Sequence, residues 1–134
     1  MPQTPGDAKD RTIYGKYRSA WKDSVDYSQR VFGAKMNIFV CSPLRGDTKE
    51  NLKNAQEYCR KIILNYDTPY APHLYFTSFL NDNAPTERSM GMAAGQRWME
   101  RCEEMWVYGD IVSEGMKEEI TYWTIYIKKP IRFQ

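Results

Sequence analysis

Strand-like and helix-like stretches alternate along residues 36–134, and that order leaves the chain few architectures. MNIFVC (36–41) is a short apolar run closed by the turn cluster SPLRGD, the pattern of a buried strand. Residues 48–65 set Leu52, Ala55, Cys59, Ile62 and Ile63 along one stripe with Lys and Glu opposite, which predicts an amphipathic helix. Asp67, Thr68 and Pro69 break it. YAPHLYF (70–76) reads as an extended segment, and Pro72 marks it as short or at a sheet edge. A polar loop over 77–86 leads to a second helix over about 87–102. EMWVYG (104–109) supplies the next strand, a helix starts at Ser113, and KKPIRFQ follows as a short strand. Strands alternating with helices predict an α/β domain, a parallel sheet covered by helices on both faces.

Residues 1–35 stand apart from this domain. MPQTPGDAKD is a loose polar tail. Over 11–32, Ile13, Tyr17, Trp21, Val25 and Phe32 recur near a helical interval with charges between them, and Gly33 supplies a stop. This predicts a basic, aromatic helix packed on the α/β domain of residues 36–134. The excess positive charge lies entirely here, seven Lys/Arg against four Asp/Glu. A net charge of +2 is too small to imply nucleic-acid binding. Ten Tyr, five Phe and four Trp argue against disorder. Cys41, Cys59 and Cys102 show no CxxC spacing and no histidine cluster accompanies them, so buried free thiols are expected rather than a zinc site. No apolar run approaches a membrane span. A soluble, cytoplasmic protein without metal or cofactor is the expectation.

In an open parallel sheet, ligands bind beyond the carboxyl ends of the strands. That rule selects SPLRGD, PHLY and GDIVSEGM. The first and third lead into helix N-termini, whose free amides favour phosphate. Ser42, Pro43, Arg45 and Gly46 in the first segment, and Ser113, Gly115 and Met116 in the third, are therefore the ligand-binding candidates. His73, the single histidine, falls in the second segment. Asp47, His73 and Glu119 are the acid–base candidates at this edge. Glu119 follows Gly115 by four residues, and helical side chains lean toward the N-terminus. Its carboxylate is thus expected over a residue with no side chain, leaving a hole that a ligand could fill.

Together, IFVCSPLRGD, APHL and SEGMKEEI resemble the nucleoside 2-deoxyribosyltransferase superfamily, including its 2'-deoxynucleoside 5'-phosphate N-hydrolase branch. The resemblance covers about residues 36–134. CSPLRGD is similar to the CGSIRGG-like loop of the hydrolase branch, Pro72–His73 to its Glu-His step, and Ser113 to Glu119 to the nucleophile motif Ser-x-Gly-x-x-x-Glu. It implies a flavodoxin-like fold and cleavage of the bond between base and deoxyribose, with Glu119 attacking the anomeric carbon. Ser113 and Gly115 would help hold a phosphate or sugar hydroxyl, and sites completed across subunits imply a homo-oligomer. Two positions depart from the pattern: Phe39 stands where the family has a tyrosine, and Gly95 where it has an aspartate near the leaving base. Asp82, Glu87 or Asp47 could supply the missing acid from loops. The leading reading is thus a nucleoside- or nucleotide-binding protein that cleaves or exchanges the N-glycosidic bond. The alternative is a non-catalytic binder of a nucleotide-derived ligand, NAD-derived or a cyclic nucleotide. A third reading is an interaction module that docks through residues 1–35.

Overall fold

The computed structural model describes residues 35–134, so the helix expected over 11–32 lies outside the described residues. The first strand, β1 (Asn37–Cys41), buries four of its five residues, as its apolar run requires. Asp47 then caps α1 (Thr48–Leu64), its side chain accepting from the Glu50 amide at 3.3 Å. β2 (Thr68–Tyr70) lies parallel to β1, with Pro69 opposite Ile38.

Here the structure differs from the sequence expectation. The segment 70–76 is not extended: after the three-residue β2 the chain forms a short helix, α2 (Pro72–Phe76). Pro72 causes both halves of the change. It holds Ala71 extended (φ −120°, ψ 92°), and its own fixed φ suits the first turn of a helix. The strand starts two residues earlier and includes Pro69, which an edge position tolerates. Pro85 likewise begins α3 (Pro85–Met99), two residues before the expected start.

β3 (Glu104–Val107) pairs in parallel with β1, Met105 opposite Phe39, and β4 (Ile131–Phe133) pairs in parallel with β3. Between them α4 (Glu114–Tyr122) runs into a π-helical turn at Trp123–Ile127, which the sequence did not signal. Trp123 is fully buried there, and its indole N–H donates to the Lys129 carbonyl at 2.7 Å, tying the turn to the chain that enters β4.

The sheet order is β2-β1-β3-β4, all parallel, a flavodoxin- or Rossmann-like α/β arrangement. Side chains of β1 alternate between two apolar layers. Phe39 and Cys41 join Met99, Met105, Val107, Met116 and Trp123 on one face, while Ile38 and Val40 join Ile62 and Ala71 on the other. Helices α3 and α4 thus cover one face and α1 the opposite one. At the β3–β4 edge, buried Glu104 accepts from Arg132 at 2.8 and 3.2 Å and from the Trp106 indole at 2.9 Å. Those bonds from Arg132 and Trp106 hold its carboxyl below the usual range. Because the chain leaves β1 to one side for β2 and returns past it to β3, the strand order reverses at β1. A crevice opens at the carboxyl end of a strand in that position.

Candidate functional site

A cavity of about 350 Å³ lies at that end of β1, walled by the following loop, α2, α3 and the start of α4. Such a volume suits a small molecule. Leu44, Phe76, Leu80 and Met92 give it apolar wall, while polar groups reach it from each surrounding element.

Just past β1 comes Ser42, whose hydroxyl is 2.8 Å from His73 Nε2. His73 belongs to the first turn of α2, and the Thr77 hydroxyl donates to its backbone carbonyl. Burial pushes the imidazole pKa down to about 4, so the ring is neutral near pH 7. A neutral ring held by Ser42 orients hydrogen bonds but carries no charge to an anion.

Ser113 caps α4, its Oγ accepting from the Met116 amide at 3.3 Å, and this fixes the helix N-terminus at the cavity. In the second turn, Glu119 lines the cavity with its carboxyl enclosed beside the Cys41 thiol. Burial lifts the Glu119 pKa to about 8, although the Cys41 hydrogen bond and the positive charge of Arg88 pull the other way. A place near a helix start favours the ionised state, but desolvation outweighs it in the free protein. Burial and the nearby Glu119 also raise the Cys41 thiol far above its ordinary range, which leaves it an inert hydrogen-bond donor.

The space expected above Gly115 is occupied in part by Arg88. A β-carbon on Gly115 would stand 3.3 Å from Arg88 Nη2. Arg88 also meets Asp82 at 3.4 Å, and Asp82 in turn holds Arg45 at 2.9 Å.

Of the residues selected from sequence, Ser42, Arg45, His73, Ser113, Gly115, Met116 and Glu119 line this one cavity, while Pro43, Gly46 and Asp47 do not. Pro43 packs its ring on Gly109, whose φ of +102° admits the close approach. Gly46 turns the loop at φ +99°, and Asp47 is the exposed cap of α1. Arg88 was missed because one arginine in a polar helix start reads as surface. The available signal was the row Arg88, Gly91, Met92 and Gly95, which shares one helical face and lines the cavity.

Gly95 and Phe39 explain themselves in packing. A β-carbon on Gly95 would lie 3.1 and 3.2 Å from Pro72 Cγ and Cβ, so α3 rests on the Pro72 ring. Phe39 is fully buried against Trp123, ring centroids 6.4 Å apart, and does not line the cavity. A proline ring cannot swing aside as a flexible side chain does. Gly95→Ala is therefore expected to lower stability by about 1–3 kcal/mol in chemical denaturation, despite the better helix propensity of alanine. An unchanged or raised stability would show that α3 shifts freely.

Among the described residues, no group of three or more His, Cys, Asp and Glu side chains could hold a metal ion. No helix there is long and apolar enough to cross a membrane.

In backbone trace the chain is similar to a 2-deoxyribosyltransferase from the psychrotolerant bacterium Bacillus psychrosaccharolyticus. The TM-score is 0.57 at 15% identity, over 72% of this chain and 70% of that one. At that identity the likeness speaks to the fold. No curated protein matches the sequence. Residues 36–133, a stretch that includes every strand described above, match a domain of unknown function, DUF7768. The chain belongs to the DUF7768 family.

Proposed function

We propose that the protein binds a nucleoside or nucleotide in this cavity and cleaves or exchanges its N-glycosidic bond, with Glu119 as the nucleophile. The observation that carries this reading is the Glu119 carboxyl, enclosed in a ligand-sized cavity at the carboxyl end of β1 together with the Ser42–His73 pair. In the first step a Glu119 oxygen forms an ester bond to the anomeric carbon as the C–N bond breaks, the base leaving with its electrons and taking a proton from solvent water. Water, or a second base, then attacks the same carbon and frees the carboxylate. Near pH 7 only about a tenth of Glu119 is ionised at a pKa near 8, so the rate rises with pH through that value. The apolar wall accommodates the base, and Arg45 and Arg88 favour an anionic end on the ligand.

A second reading, a cavity that holds a nucleotide-derived ligand without turning it over, is favoured by one specific observation. Where the deoxyribosyltransferase superfamily that the sequence resembles has its acid, this chain has Gly95, pressed against Pro72, and where that superfamily has its tyrosine, Phe39, buried in the core. Incubation with deoxynucleosides, their 5'-phosphates and NAD, followed by chromatography of free base, separates the two. Base release supports the enzyme; binding without release with every compound supports the binder.

A further inference from the structure

Two arginines from different elements meet on one carboxylate at the cavity. Arg45, in the loop after β1, donates Nε to Asp82 Oδ2 at 2.9 Å and Nη2 to the Asp82 carbonyl at 2.8 Å. Arg88, in the first turns of α3, reaches both Asp82 carboxylate oxygens through Nη1, each at 3.4 Å. The first pair of bonds has ordinary length; the second is stretched to the limit of a hydrogen bond. Among the described residues nothing accepts from Arg88 Nη2, which lies against Gly115. The other cavity carboxyls are engaged elsewhere. Glu114 pairs with Lys117 at 3.1 Å, Glu87 accepts from the Asn81 amide at 3.3 Å, and Glu119 is largely neutral through burial. Among the described residues, Asp82 therefore answers two guanidinium groups alone, and answers one of them weakly.

We infer that Asp82 is a resident stand-in for the anionic group of the ligand, and so a specificity-determining residue. A phosphate entering beside Gly115 takes Arg88 from Asp82, while Arg45 keeps hold of the aspartate. This rests on the proposed nucleotide reading and narrows it to phosphate-bearing ligands. A phosphate monoester brings up to two charges and three strong acceptor oxygens, against the single charge of a carboxylate. Arginine meets such a group with paired donors, and among the described residues nothing accepts from Nη2 of Arg88. Asp82, left within reach, repels the newcomer. It lowers affinity for every anion, and weakly charged ligands cannot overcome it. Neutral nucleosides gain nothing from the arginine pair.

The test uses the full chain with labelled arginine side chains, titrated with inorganic phosphate and with ribose 5-phosphate against chloride at matched ionic strength. The Arg88 Nε–H resonance is expected to shift and saturate with both phosphates and to stay put with chloride. Asp82→Asn, which keeps the shape and removes the charge, is expected to bind phosphate about tenfold more tightly, and Arg88→Ala to lose saturation. An unmoved Arg88 signal in the parent protein overturns the inference without recourse to any variant, as does unchanged or weaker phosphate binding by a folded Asp82→Asn. Base release is a separate readout. Turnover with Arg88 unmoved sinks this inference and spares the proposed reaction, whereas phosphate binding without turnover does the reverse.

Discussion

Raising the pH from 5 to 9 is expected to remove about 3–5 kcal/mol of stability through Glu119, and Glu119→Gln should abolish that loss. The carboxyl has a pKa of about 8 in the folded protein, raised chiefly by burial from an ordinary 4.5. Between those values the folded state holds a proton that the unfolded chain has released. Stability from this group is therefore full below 4.5, and falls by about 1.4 kcal/mol per pH unit until the folded carboxyl ionises. His73 acts in the opposite sense. Its folded pKa of about 4, against 6.5, means that stability is lost as pH drops through that window. The two slopes oppose each other below pH 6.5, so the clean interval is pH 6.5–8, where Glu119 acts without His73. Urea denaturation of both proteins at pH 5, 6.5 and 9 reads the difference and cancels groups that titrate in both. Parallel pH profiles for parent and variant would show that the carboxyl is not desolvated as described.

Much of the lining of the candidate cavity was legible because its signals are local. A short apolar run before a turn gave β1, Ser113 with a following helical pattern gave the cap of α4, and the rule of strand carboxyl ends brought the first and third loops together. His73 lines the cavity from α2 and not from the extended segment that the sequence suggests, because Pro72 starts a helix as readily as it weakens a strand. The charge state of Glu119 was not legible. Helix position favours its anion, but burial depends on Cys41 and on neighbours distant in sequence, and burial wins. The Arg45–Asp82–Arg88 cluster joins positions up to 43 residues apart through a loop that reads only as polar, so no periodicity announces it. The π-helical turn has no local signature either. It follows from seating Trp123 in the core while its indole reaches Lys129.

If Glu119 attacks the anomeric carbon, replacing it by Gln leaves the cavity its shape and removes the attacking electron pair. Base release should then fall by about a thousandfold or more, while ligand affinity changes by only a few-fold. The parent rate should climb with pH as the carboxyl ionises near 8, and the residual rate of the variant should not follow it. If the cavity only holds its ligand, neither protein releases base and the substitution alters affinity alone. The decisive measurement is chromatographic quantification of free base from deoxynucleosides and their 5'-phosphates at pH 8, parent beside Glu119→Gln. Release by the parent that disappears in the variant, with ligand affinity retained, is the expected result; release that continues at the parental rate in the variant would contradict nucleophilic attack by Glu119.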